Sequence, residues 1–301
     1  MPNVLEELVS LLQLERIEKN LFRGQSQDLG WGAIFGGQVL GQALSAAEQT
    51  VPEGRIVHSL HGYFLRTGDA AKPVVYDVDC IRDGKSFTTR RVVAIQDGQA
   101  IFSMAASFQR QEEGFDHQDA MPETDGPDAL VSEVELARAR VAAHPGGRLP
   151  RIPQKLLDQA VCDKPIEIRP VDPVDILNPE KRSPKRYVWY RAVDRLPDRL
   201  SVHQYLLAYA SDFHFVTTAM QPHGVSWLSR GMQVASLDHA MWFHRPFRMD
   251  EWLLYVVDSP SASGARGFAR GQFFTRDGIL VASTAQEGLM RRHPPASRPD
   301  A

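Results

Sequence analysis

Residues 64–110 are echoed about 180 positions later by residues 243–291, and this repeat constrains the fold more than any other feature of the chain. Phe64-Leu65-Arg66 returns as Phe243-His244-Arg245, Gly84 as Gly264, Asp97-Gly98 as Asp277-Gly278 and Ser103 as Ser283. The one-residue drift after the first pair is a small insertion or deletion in a loop. An ordered series of matches calls for two supersecondary units of one kind. The copies differ in polar content: Asp212, Ser236 and Gln286 belong to the second and lack counterparts in the first.

Each unit reads as a buried helix followed by antiparallel strands, an α+β layer repeated twice. In the first, Gly36-Gly37 introduces a helix over 38–48 of mostly small and apolar residues, as suits a helix surrounded by other elements. Strands are expected over 56–65, 74–81, 87–96 and 101–108, with Asp83-Gly84 and Asp97-Gly98 supplying the positive φ of tight hairpins. In the second unit, Ser201 is the expected N-cap of a helix over 202–216. Strands are expected there over 186–193, 234–243, 252–258, 267–275 and 280–290. An amphipathic helix through Leu14 and a strand over 21–26 precede the first unit.

Half of the chain's 20 prolines lie between Gln111 and Pro184, which marks a surface-running connector with short helices such as 127–141. The expected division is therefore an N-terminal repeat over 1–115, a connector over 116–184 and a C-terminal repeat over 185–295 that carries the polar residues.

Composition narrows the function. With 301 residues, 43% of them hydrophobic, the chain can bury a sizeable core. A net charge of −3 lacks the basic surplus of a nucleic-acid binder. The N-terminus carries Glu6 and Glu7 where a signal peptide would be basic, and no run is apolar and long enough for a membrane span, so a cytoplasmic location is expected. Cys80 and Cys162 have no metal-like spacing and are expected to be buried, inert thiols. The histidines are dispersed without a ligand-like pair, Gly224-Val225-Ser226-Trp227-Leu228 lacks the second glycine of a nucleophile elbow, and no dinucleotide or phosphate-loop motif is present; no metal or cofactor is expected.

The remaining candidates are the asymmetric polar residues. Asp212 shares a helical stripe with Tyr205, Tyr209 and Val216, a setting that raises a carboxylate pKa unless hydrogen bonds oppose it. Aligning the two helices puts Ala46 opposite it in the first copy, while Ser236 falls opposite Val57 and His58, and Gln286 opposite Ala106. His58, His61, His239 and His244 read as structural histidines.

The run Val57-His58-Ser59-Leu60-His61-Gly62-Tyr63-Phe64-Leu65-Arg66, followed by Arg82-Asp83-Gly84-Lys85-Ser86-Phe87 and Ala106-Ser107-Phe108-Gln109, resembles the N-terminal half of the acyl-CoA thioesterase II family. Leu206-Leu207-Ala208-Tyr209-Ala210-Ser211-Asp212, Leu237-Asp238-His239-Ala240-Met241-Trp242-Phe243-His244-Arg245-Pro246 and Ala262-Ser263-Gly264-Ala265-Arg266-Gly267-Phe268 resemble its C-terminal half. The resemblance implies a double hotdog fold, each half an antiparallel sheet wrapped around a long helix. It also implies hydrolysis of fatty acyl-CoA by a catalytic Asp, Thr or Ser, and Gln, which fall on Asp212, Ser236 and Gln286.

Acyl-CoA is then the substrate, no cofactor is needed, and a homodimer or homotetramer is expected. Gly36 and Gly37 are candidate oxyanion donors at a helix N-terminus. Tyr205, Tyr209 and Trp242 are candidate walls of an acyl tunnel, His58 a further substrate contact, and Arg66, Arg91, Arg266 and Arg270 candidate partners of the CoA phosphates. Two other readings stay open: an enoyl-CoA hydratase-like hotdog enzyme, and a non-catalytic acyl-CoA-binding hotdog protein.

Overall fold

The computed structural model describes residues 3–144, 149 and 152–294, so the outermost positions of the first and last expected spans, and a few in the connector, lie outside the described residues. Helix α1 (Val4–Leu12) starts at Asn3, whose side chain accepts the Glu6 N–H while Glu6 accepts the Asn3 N–H, and it buries Leu5, Leu8 and Leu12. The short strands β1 (Glu15–Glu18) and β2 (Leu21–Gly24) follow. All four residues of β1 are exposed, so no alternation announced it. In α2 (Gly36–Glu48) every residue from Gly37 to Ala47 is buried. The meander β3 (Arg55–Phe64), β4 (Val74–Asp83), β5 (Phe87–Gln96) and β6 (Gln99–Arg110) completes the first half.

The connector contributes α3 (Glu133–Ala142), opened by a capping box between Ser132 and Glu135, and α4 (Gln154–Val161). It also holds β7 (Ile166–Pro170), which pairs antiparallel with β8 (Lys185–Ala192) and so extends the sheet at the end of the second half. The second half contains α5 (Leu200–Ser211), α6 (Phe215–Met220), β9 (Met232–Ser236), β10 (Asp238–Phe243), β11 (Leu253–Ser263), β12 (Arg266–Thr275) and β13 (Leu280–Arg292).

The strands form one sheet in the order β1-β2-β4-β5-β6-β3-β10-β13-β12-β11-β8-β7, with β9 also on β13. The two halves meet where β3 and β10 pair antiparallel, from Tyr63 opposite Asp238 to Ser59 opposite Trp242. One core unites Leu40 and Leu44 of α2, Leu206 and Leu207 of α5, and Leu60, Phe102, Tyr190, Met241 and Phe273 of the sheet. The result is the double hotdog, a repeated α+β layer with both helices against one continuous sheet.

Glycines set how closely the two central helices approach. A Cβ on Gly41 would lie 3.0 Å from the Tyr205 carbonyl oxygen, and one on Gly37 would run into the Tyr209 carbonyl oxygen. The contacts 41 to 205 and 37 to 209 run antiparallel, so the N-terminus of α2 meets the C-terminus of α5.

Several local expectations change. Asp97 and Gly98 both have positive φ and close a two-residue hairpin, and Gly278 (φ 89°) ends a three-residue loop. Asp83 and Gly84 do not have positive φ, because four residues separate the register pair Asp83 and Thr88 and a loop of that length turns without left-handed residues. Helix α5 ends at Ser211 rather than Val216: His214 adopts a left-handed conformation (φ 73°) and starts the separate helix α6. Arg199, not Ser201, occupies the N-cap of α5. Cys80 and Cys162 are exposed, the one within the register shift of β4, the other at the end of α4.

Candidate active site

Asp212 is the residue that ends α5, which carries its carboxylate to the N-terminus of α2. A Cβ on Gly36 would lie 2.6 Å from Asp212 Oδ2, so the absence of a side chain there makes room for the carboxylate. Phe35, Tyr209 and Phe213 wall it in: the Phe35 and Phe213 rings stack at 4.5 Å and Tyr209 meets Phe35 edge-on at 5.2 Å. Burial among these groups pushes the Asp212 carboxyl up to about 6, against the pull of hydrogen bonds from Gln286, Ser236 and the Gly37 N–H.

A bulge brings the other groups together. Between β9 and β10 the register against β13 slips by one residue, from Ser236 opposite Gly288 to Ala240 opposite Ala285. Leu237 N–H donates to the Glu287 carbonyl at 2.9 Å, and the Asp238 carboxylate accepts the Glu287 N–H at 2.6 Å. Ser236 and His239 are three residues apart and would face opposite sides of a regular strand; the extra residue turns both inward. Ser236 Oγ–H donates to Asp212 Oδ1 at 3.1 Å, and Gln286 Nε2 donates to Ser236 Oγ at 2.8 Å. Behind Gln286, its Oε1 lies 2.6 Å from His239 Nδ1, and His239 Nε2 lies 2.9 Å from Ser211 Oγ.

The structure thus brings Asp212, Ser236 and Gln286 into one hydrogen-bonded chain. His239, read from sequence as a structural histidine, belongs to the same chain. The signal was in the repeat: the offset that aligns Phe243 with Phe64 aligns His239 with Leu60, an apolar core position.

These groups open on a cavity of about 1550 Å³ lined by Leu29, Ile34, Phe64, Tyr209 and Asp212, and by Val134, Ala137 and Val141 of α3. Of the weaker candidates, Gly36, Tyr209 and Arg66 line it. Gly37 contacts Asp212 through its N–H. Trp242 does not line it: it alternates with the buried Met241 and Phe243, so it points outward against the His61 ring at 5.2 Å. Tyr205 instead donates to Glu48 at 2.8 Å. His58 is also outside the lining, with Nε2 at 2.8 Å from Ser107 Oγ.

Among the four arginines, Arg91 pairs with Asp79 at 2.8 Å, Arg266 with Glu287 at 2.8 Å and Arg270 with Asp258 at 2.7 Å, away from the cavity lining. Arg66 has no ion-pair partner among the described residues and donates to the Ala100 carbonyl at 2.7 Å. No group of three or more His, Cys, Asp or Glu suited to a metal ion occurs among the described residues.

The chain is similar to known proteins in sequence and in fold. Residues 157–289 match the family described as acyl-CoA thioesterase, and residues 26–109 match acyl-CoA thioesterase N-terminal domain. Acyl-CoA thioesterase 2 of Haemophilus influenzae is 43% identical over 291 residues, 97% of this chain and 99% of that protein. The crystal structure of acyl-CoA thioesterase II TesB2 from Mycobacterium marinum is 42% identical, with a TM-score of 0.75 over 96% of this chain and 99% of that one. A conserved protein with hot dog fold from Alicyclobacillus acidocaldarius, 19% identical, shares the fold at a TM-score of 0.71 over 96% and 99% of the two chains. With relatives this similar over almost their whole length, the chain belongs to the acyl-CoA thioesterase II family of thioester hydrolases.

Proposed function

We propose that this protein hydrolyses fatty acyl-CoA to a free fatty acid and CoA through a water activated by Asp212 with Ser236 and Gln286. The observation that carries this reading is the pairing of a carboxylate, raised to about 6 and bonded to Ser236 and Gln286, with an apolar cavity large enough for an acyl chain. Water oxygen attacks the thioester carbonyl carbon while Asp212 accepts the water proton. The C–S bond then breaks, and the departing thiolate takes that proton from Asp212. A thiol with a pKa of roughly 8.5 leaves as its anion without a strong acid at the site.

Charge developing on the carbonyl oxygen needs fixed donors. The N-terminus of α2 supplies the Gly36 N–H beside Asp212. Arg66 at the cavity rim supplies uncompensated positive charge for a CoA phosphate.

The hydratase-like alternative requires a histidine beside Asp212. His214, two residues on, has Nδ1 on Tyr190 and Nε2 on Glu133 at 3.0 Å, and this supports the hydrolytic reading instead. The proposal extends to a cytoplasmic enzyme working as a homodimer or homotetramer, with the outward-facing Tyr63 and Trp242 as the contact to test by light scattering. No helix among the described residues is long and apolar enough to cross a membrane.

The deciding assay is free-thiol release from acyl-CoA esters of increasing chain length, acetyl to palmitoyl, by the wild type and by Asp212→Asn. Release abolished by the substitution supports the proposal. Binding of acyl-CoA by the wild type without release would leave only the acyl-CoA-binding alternative.

A further inference from the structure

We infer that His239 is a positioning residue that fixes which end of the Gln286 amide faces Ser236. The inference rests on the hydrolytic reading above. His239 is 1% exposed, does not line the cavity, and makes its side-chain hydrogen bonds to Gln286 and to Ser211, the residue before Asp212.

Hydrogen counting sets the direction of the chain. Asp212 is an acceptor when ionised, so Ser236 spends its one hydroxyl hydrogen on Oδ1 at 3.1 Å and offers only lone pairs to Gln286. Gln286 must then present its NH₂ group to Ser236, at 2.8 Å, and its carbonyl oxygen to His239. That oxygen cannot donate, so His239 Nδ1 carries the hydrogen in the 2.6 Å contact. Burial pulls the His239 pKa down to about 4, so the ring is neutral at ordinary pH and its Nε2 is a bare acceptor, which takes the Ser211 Oγ–H at 2.9 Å in competition with the Ala208 carbonyl at the same distance. Every donor from Ser211 onward points toward the carboxylate.

A Gln286 amide turned the other way would present an oxygen to Ser236. That oxygen would compete with Asp212 for the single hydroxyl hydrogen and would take away the N–H that Gln286 gives to Asp212. A glutamine amide has little intrinsic preference between the two orientations, so the selection has to come from its neighbours. Asp212 and Ser236 take the N–H end, and His239 with its hydrogen on Nδ1 holds the oxygen end from behind.

The repeat supports the assignment. Leu60 and Ala106, the buried residues at the positions that align with His239 and Gln286, form a cross-strand pair in the first half. An apolar pair fills this position where no amide has to be oriented, so the fold itself does not demand a histidine.

The test is a double-mutant cycle on kcat and KM for thiol release, using His239→Leu, Gln286→Ala and the double variant. Expected are a loss in kcat on the order of 10- to 100-fold for His239→Leu with KM within about twofold, and no further loss when it is added to Gln286→Ala. His239→Asn, whose side-chain NH₂ replaces the Nδ1–H, should recover most of kcat; His239→Met, which fills similar volume without a donor, should not. These two variants carry the test should His239→Leu fail to fold. Wild-type kcat in folded His239→Leu or His239→Met, or losses that multiply in the double variant, would overturn the assignment. A fully active Gln286→Ala would remove Gln286 from the catalytic trio and the positioning role with it, whereas absence of thiol release by the wild type would sink the hydrolytic reading.

Discussion

The two halves of this molecule share a frame and differ in a handful of side chains, and the difference separates what the fold needs from what the chemistry needs. Both halves carry the same bulge: the register of β3 against β6 slips between Val57 and Ser59, as that of β9 and β10 slips against β13. Around it the first half places Val57, Leu60 and Ala106, all buried and apolar, where the second places Ser236, His239 and Gln286. The helix ends differ likewise. Helix α2 ends at the exposed Gln49, while α5 ends at Asp212 against the glycine N-terminus of its neighbour. The bulge is therefore a property of the duplicated scaffold, and the polar chain is an addition to one copy of it.

The largest effect should come from the two helix ends. Asp212→Asn removes the proton acceptor and is expected to lower kcat by about 10³-fold or more, whereas Gln49→Ala, at the corresponding end of α2, should leave kcat within about twofold. A comparable loss from both substitutions, measured by thiol release on folded protein, would mean that both halves contribute to turnover and the asymmetry is only apparent.

Next in size is the reverse exchange. Leu60→His with Ala106→Gln places a polar pair in the first half without the hydroxyl and carboxylate that satisfy it in the second. Leu60 is 0% and Ala106 2% exposed, so the exchange combines overpacking with unsatisfied polar atoms. The expected cost is about 2–4 kcal/mol in urea unfolding, with no gain in activity. Unchanged stability would show that the first half tolerates the polar pair and that its apolar residues are not a packing requirement.

The pH profile sharpens the contrast further. Below about 6 Asp212 is protonated and cannot accept a proton, so kcat/KM should rise through that value and level off above it. Gln286 and Ser236 hold the ionised form, so removing either favours the neutral acid; residual activity of Gln286→Ala and Ser236→Ala should have its acid limb at higher pH than the wild type. A limb that stays in place in both variants would assign it to another group.

Much of this was legible in the residues. The repeat, the meander and the buried α2 follow from the ordered matches and from the small-apolar composition between Gly36 and Glu48. The three polar residues stand out because the other copy lacks them. Three things were not legible. Periodicity through Asp212 to Val216 is unbroken, and nothing local shows that His214 turns left-handed, so the helix end that carries the carboxylate was hidden and Ala46 was taken for the counterpart of Asp212 in place of Gln49. The bulge that turns Ser236 and His239 to one side is a relation between strands, invisible in either one alone. Trp242 drew attention by size, but only strand alternation against Met241 and Phe243 reveals that it faces outward.

The smallest expected effects distinguish the arginines. Arg91 and Arg270 occupy corresponding outward positions on β5 and β12, each paired with an aspartate of the neighbouring strand, Asp79 and Asp258. Their substitution by alanine should change KM and kcat by less than about twofold, because an exposed ion pair contributes little and neither lines the cavity. Arg66 lines the rim without an ion-pair partner among the described residues. Arg66→Ala should raise KM for acyl-CoA about three- to tenfold with kcat unchanged, as loss of one exposed charge contact to phosphate implies. The same variant assayed with an acyl-pantetheine thioester, which has no phosphate, should behave as wild type. An equal rise in KM for both substrates would assign Arg66 to the shape of the cavity mouth instead of to phosphate recognition.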